Sequence, residues 1–334
     1  MKLLPETRLT LDAKKSRWRH VWIVDVLIAL LLFVIAQTVQ SVLLTPAMLV
    51  NMLQRLDLPA LADAADPTQI FSQAMAAASA LPDWITLLSL FSTAAVIVIC
   101  ILYCVKLERR PATGLGFRGS SPALEYLAGY GIGVGLFALS WAICLLFGAA
   151  RLTGVSPNLS WMILPFFFGF LIQGMSEEVL CRGFLMQTLS ARYAPAAAIA
   201  INSALFMALH LMNAGLSLLA LVNLFLFGVF ASVYMWKRGN IWGVAAIHAA
   251  WNFTQGNLLG IRVSGSVLGP SVLQTELNPS AEWLNGGAFG LEGGLAVTIV
   301  LLAATLLMLF LPVKPEAQVP ESTERATPIE PSAA

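Results

Sequence analysis

The sequence predicts an all-α fold: a polytopic membrane bundle of about eight transmembrane helices with both termini in the cytoplasm. Composition is the first reason. The chain is 58% apolar and 11% charged, with a mean hydropathy of +0.80, whereas soluble domains carry about 25% charged residues. The second reason is that the apolar residues gather in long runs, and a span needs about 20 of them at about 1.5 Å per residue. The third is that Lys and Arg recur in every second connection between those runs, as cytoplasmic loops require.

The elements follow in order. Residues 1–20 are polar and basic. The run after them, 21–45, is too long for the apolar core of a cleavable signal and reads as a retained span. Further runs lie at 84–105, 125–149, 161–190, 194–212, 216–236, 240–258 and 291–311. The run at 161–190 exceeds what a span needs, so it tilts or emerges at its charged end. Lys2, Arg8, Lys14, Lys15, Arg17 and Arg19 precede the first run, and Lys106, Arg109, Arg110 and Arg118 follow the second. Arg192, Lys237, Arg238, Lys314 and Arg325 keep the same parity, and only Arg55, Arg151 and Arg262 fall in the alternate loops. The alternate loops 46–83, with Asp57, Asp63, Asp66 and Asp83, and 259–290, rich in Gly, Ser, Pro and Asn, belong outside.

The chain thus divides into a cytoplasmic basic N-terminus (1–20), spans one to three with the acidic external loop 46–83 (21–160) and a core of spans four to seven (161–258). An external loop (259–290), span eight (291–311) and a disordered Pro- and Glu-rich cytoplasmic tail (312–334) complete it. No internal repeat is visible, which argues against a transporter built from inverted halves. A net charge of +1 gives no basic surface for nucleic acid. Cys100, Cys104, Cys144 and Cys181 all lie in apolar runs, so free buried thiols are expected and no CxxC pair offers a thiolate metal site.

Against that background, Glu177, Glu178 and Arg182 are out of place in span four. Each ionisable group at mid-bilayer costs about 2.5–3.5 kcal/mol on insertion scales. Glu178 and Arg182 stand four residues apart, on one helix face, and form a natural ion pair. Glu177 is turned by about 100° and has no obvious partner on its own helix. Candidate partners lie on later spans. Phe206 and His210 are spaced i, i+4, as are His248 and Asn252, so each pair shares a face.

A carboxylate, two histidines and an asparagine converging between helices can activate water: the carboxylate takes its proton and returns it to a leaving amine, while amide and imidazole donors meet the developing oxyanion. Glu177, His210 and His248 are also plausible ligands for a divalent metal such as zinc, although HExxH is absent. Plain structural readings stand beside these: a packing ion pair, a core histidine on a backbone carbonyl, an interhelical hydrogen bond. Cys181 reads as a packing residue, and Gly169, Gly174 and Gly183 as points of close helix approach.

The three segments, Glu177-Glu178-Val-Leu-Cys-Arg182, Phe206-Met-Ala-Leu-His210 and His248-Ala-Ala-Trp-Asn252, resemble the EExxxR, FxxxH and HxxxN motifs of the CPBP family. That family comprises type II CAAX prenyl endopeptidases and Abi-like bacterial bacteriocin-processing or immunity proteins. The resemblance covers roughly residues 160–258. It implies an intramembrane endopeptidase in which Glu177 activates water with His210, His248 and Asn252 stabilise the oxyanion, and Glu178 and Arg182 form a supporting pair. It is compatible with a metal-dependent or a metal-free scheme, with a peptide or membrane-protein substrate in a lipid bilayer, and with a multi-pass place in a bacterial plasma membrane. The alternatives are a non-catalytic membrane partner, such as an immunity or assembly factor on the same fold, and a proton-coupled transporter.

Overall fold

A computed structural model of the chain describes residues 3–55, 68 and 81–319. Each apolar run expected from the sequence is helical. A short amphipathic α1 (Arg8–Ala13), capped by the Thr7 side chain, precedes α2 (Trp22–Arg55), α3 (Asp83–Leu107), α4 (Pro122–Leu146) and α5 (Ile163–Ser190). Then come α6 (Pro195–Ala208), α7 (Leu218–Arg238), α8 (Trp242–Phe253), which runs on through a π-helical turn at Thr254–Leu258, and α9 (Leu295–Phe310). Helices α2, α3, α4, α5 and α7 are long and apolar enough to cross a membrane by length and composition. Helix α6, with 14 residues, covers only about 21 Å at 1.5 Å per residue, against a hydrocarbon thickness of about 30 Å.

Three segments differ from the sequence reading. Helix α2 continues past residue 45 to Arg55, carrying Pro46 inside it. The rest of the 46–83 loop lies outside the described residues, apart from Thr68 and residues 81–83. The 259–290 loop is not featureless. Its strand β2 (Leu273–Leu277) pairs antiparallel with β1 (Ala150–Val155), from Ala150 against Leu277 to Val155 against Leu273, with a register shift between Leu152 and Gly154. This ladder satisfies backbone groups of two connections at once and is the one sheet among the described residues. Of the tail assigned to disorder, residues 312–319 are described. Pro315–Ala317 forms a 3-10 turn, Lys314 N donates to Lys237 O at 2.9 Å, and Gln318 bridges to Thr7. Lys237 Nζ caps the exposed carbonyls at the end of α9, donating to Leu309 O and Leu311 O at 2.9 and 2.8 Å.

The connections collect at two ends of the bundle. At one end Arg17 N donates to Glu108 O (3.0 Å), Ile241 N to Gly116 O (3.0 Å) and Trp236 Nε1 to Pro5 O (2.8 Å). There Glu125 accepts two bonds from Arg238, at 2.8 and 3.0 Å, and one from Lys314. At the other end Asn278 N donates to Ala149 O (2.9 Å), Ser156 N to Val272 O (2.9 Å) and Asn213 Nδ2 to Ser264 O (3.0 Å). The basic loops that alternate along the chain therefore meet at a single end, while Arg151 and Arg262 sit at the opposite one.

Helix α8 is the axis: every residue from Gly243 to Phe253 is buried. Its neighbours reach it through glycines. A Cβ at Gly133 of α4 would stand 2.4 Å from Ile247 O, and one at Gly174 of α5 would stand 2.7 Å from Ala249 N. Lipid tails offer no hydrophobic drive for helix association, so such close backbone packing supplies it. The crossing at Gly174 brings the acidic pair of α5 against His248 of α8.

Candidate active site

The acidic pair sits where α5 changes pitch. The α-helical segment ends at Glu178, and Val179–Met186 winds as a π-helix, a form frequent at functional sites. Glu178 and Arg182 are fully buried and ion-paired, Arg182 Nη1 donating to Glu178 Oε1 at 2.8 Å. The same oxygen accepts from His248 Nδ1 at 2.8 Å. With Nδ1–H committed to Glu178, His248 presents Nε2, 3.7 Å from Glu177 Oε2. This carboxylate–imidazole contact is of the kind that fixes a ring's tautomer and orientation. Arg182 Nε and Nη2 have no hydrogen-bond partner, but the guanidinium lies over the Phe206 ring, 4.4 Å from its centroid, and that π face offsets part of their desolvation.

Glu177 differs from its neighbour. Its side chain is 30% exposed. Contrary to the sequence reading, it has a partner on its own helix: Gln173 Nε2 donates to Glu177 Oε1 at 2.5 Å. Gln173 Oε1 in turn accepts from Asn252 Nδ2 at 3.0 Å, so one amide bridges the first and third motifs. Gln173 was missed because a neutral amide in an apolar run carries no charge signal; its i, i+4 spacing from Glu177 is the feature that could have found it. Glu177 Oε2 is buried without a hydrogen-bond partner.

His210 lies just beyond α6, in a turn closed by His210 N donating to Met207 O at 3.1 Å, not within a span that reaches residue 212. Its Nδ1 is 2.8 Å from Phe206 O. The Phe206 ring touches both histidines, with centroids 4.8 Å from His210 and 5.9 Å from His248. The nearest imidazole contact of Glu177 is thus with His248, whereas the resemblance pairs Glu177 with His210.

All of these groups except Glu178 and Arg182 line one cavity with an empty volume of ≈ 750 Å³. Its apolar walls include Phe170, Phe227 and Leu301. A second polar rim, absent from the sequence reading, comes from Asn213, Ser264, Ser266 and Glu292. Glu292 accepts from Trp251 Nε1 at 3.2 Å and from Ser264 N and Oγ at 2.7 and 2.8 Å, tying the loop before α9 to α8. Ser264 has φ +46, in the left-handed region. Glu177, His210 and His248 were candidate metal ligands. Among the described residues no group of three or more His, Cys, Asp and Glu side chains is placed to hold a metal ion together, and these three do not form one. All four cysteines are free and buried, Cys181 included.

Residues 159–254 match the family model described as type II CAAX prenyl endopeptidase Rce1-like. In this core the chain is similar to the Rce1-like family. The match contains all three motifs, and it bears out the family read from them. The likeness is to CAAX-protease-like peptidases, and it fits helices able to cross a bilayer. Helices α2, α3, α4 and α9 lie outside the Rce1-like segment. No curated protein and no solved structure matches the chain.

Proposed function

We propose that the protein is an intramembrane endopeptidase that hydrolyses a peptide bond with water activated by Glu177 and His248. What carries this reading is the free oxygen of Glu177. A buried carboxylate oxygen without a hydrogen bond is costly, yet here it faces a cavity with the Nε2 of an oriented imidazole 3.7 Å away. A single water reaches both groups across such a gap. Glu177 Oε2 takes one proton of that water while His248 Nε2 accepts the other O–H as a hydrogen bond. The water oxygen then bonds to the carbonyl carbon. The second amide hydrogen of Asn252 donates to the resulting oxyanion. As the C–N bond breaks, Glu177 returns its proton to the leaving nitrogen.

The remaining motif residues act through these. Glu178, held by Arg182, keeps Nδ1 of His248 protonated and the ring in place. Gln173 holds Glu177 and Asn252 in one register and is a positioning residue. His210, anchored to Phe206 O, lies at the cavity margin beside the incoming chain. No step is routed through a metal, because the donor set does not gather one. With Lys and Arg collected at one end, that end faces the cytoplasm of a plasma membrane.

The test compares protein N-termini in membranes of cells expressing the wild type or Glu177→Gln at equal levels. New termini that depend on the wild type are expected. Identical termini, with both proteins stably inserted, would sink the peptidase reading in favour of a non-catalytic partner.

A further inference from the structure

We infer that the catalytic cavity is reached from the end of the bundle opposite the basic loops, the extracytoplasmic end, and that its substrate is an extended segment of a membrane-anchored or exported polypeptide on that side. The choice of a peptide rests on the proposed peptidase reading; the direction of access does not.

Towards the basic end the site is sealed. Glu178 and every residue of Val179–Met186 are buried, and Ile241 and Val244 of the α8 segment are fully so. The backbone closes in as well, since a Cβ at Gly183 would stand 2.8 Å from Leu115 O. Towards the other end the cavity wall opens. His210 and Asn213 are half-buried, Ser264 and Leu268 likewise, and Ser266 is exposed.

The length of α6 supports the same direction. It starts at the basic end and stops after about 21 Å, short of a hydrocarbon layer of about 30 Å. The irregular backbone after it, which carries His210 and Asn213, therefore lies within the depth of the bilayer. Non-helical backbone is tolerated there only against protein or water. The 261–268 loop covers part of it through Asn213 Nδ2 donating to Ser264 O, and the half-buried His210 and Asn213 beside it line the cavity at this end. A lipidated C-terminus completed in the cytoplasm meets the sealed face. A segment lying on the far side of the membrane meets the open one.

The native cysteines are buried, so single introduced thiols report access. Ser266→Cys, Glu177→Cys and, as an orientation marker, Lys106→Cys at the basic end would each be treated with a membrane-impermeant charged thiol reagent. Sealed right-side-out and inverted membrane vesicles are compared. The Ser266→Cys and Glu177→Cys variants should react at least about tenfold faster in right-side-out vesicles, and Lys106→Cys should show the reverse, because a thiol's rate follows its accessibility. Reaction of Glu177→Cys mainly in inverted vesicles, or equally in both, overturns the inference. If Glu177→Cys does not fold, Ser266→Cys decides alone, and its failure to react from the right-side-out face is equally fatal. The positions of wild-type-dependent N-termini test the substrate class: they should map to extracytoplasmic segments, and cytoplasmic positions refute it. An absence of such termini refutes the peptidase and leaves the direction of access to the thiol data.

Discussion

His248 and Arg182 share one oxygen of Glu178: Nδ1 of the imidazole and Nη1 of the guanidinium each stand 2.8 Å from Oε1. One buried carboxylate therefore neutralises a cation on its own helix and orients a ring on another.

That sharing gives Glu178 a structural role beside the one proposed for it in orienting His248. Glu178→Gln should lower stability in detergent by about 3–5 kcal/mol, because it leaves Arg182 buried and unpaired. Adding Arg182→Met should restore much of the melting temperature but none of the peptidase activity, since His248 stays without its anchor. Recovery of both would show that Glu178 serves packing alone.

Gln173 gives a different signature. Gln173→Leu should leave the protein folded and lower kcat by about 100-fold, the scale of a misplacement of about 1 Å, with little change in KM. Combined with Asn252→Ala the losses should be less than additive, because one bridge is cut twice. Strict additivity would mean the Gln173–Asn252 contact has no part in catalysis.

Glu108, in the connection after α3, predicts a pH effect on stability. Burial pushes its carboxyl above the usual carboxylate range, with the nearby Arg110 opposing the rise and Asp25 adding to it. A carboxyl raised in the folded state destabilises the fold once ionised. The penalty is absent below the ordinary carboxylate value and complete above the folded one. Glu108→Gln should therefore gain in melting temperature over the wild type as the pH is raised from the ordinary carboxylate value of about 4 into the neutral and alkaline range. A constant difference over that span would exclude the carboxyl as its source.

Helix contact can be tested on two glycines of α4. A Cβ at Gly133 meets Ile247 O at 2.4 Å, whereas one at Gly135 meets nothing within 4 Å. Gly133→Ala should cost about 1–3 kcal/mol by overpacking. Gly135→Ala should be neutral or stabilising by up to about 1 kcal/mol through helix propensity. Melting in detergent separates them.

Much of this was legible in the sequence because charge in an apolar run is conspicuous. The Glu178–Arg182 pair followed from i, i+4 spacing, and the gathering of basic loops from their parity along the chain. What escaped notice was neutral or irregular. Gln173 carries no charge. The pairing of Glu177 with His248 depends on how far α5 and α8 approach at Gly174, which no spacing encodes. His210 read as helical because Phe206 and His210 keep helical spacing, yet α6 has already turned. The β1–β2 ladder joins residues more than a hundred positions apart, and one of its strands begins where an apolar run ends, so no local periodicity announced it.

The clasp at the basic end has a consequence for biogenesis. Glu125 near the start of α4 accepts from Lys314, and Thr7 bridges to Gln318, so the first and last described segments complete one surface. That surface cannot close until α9 has left the ribosome and entered the bilayer. Until then Glu125 has Arg238 alone, and Arg8 Nε lacks the Gln318 carbonyl that it donates to. A nascent chain arrested before the last helix would expose at this end a face that quality-control proteases can read as unfinished.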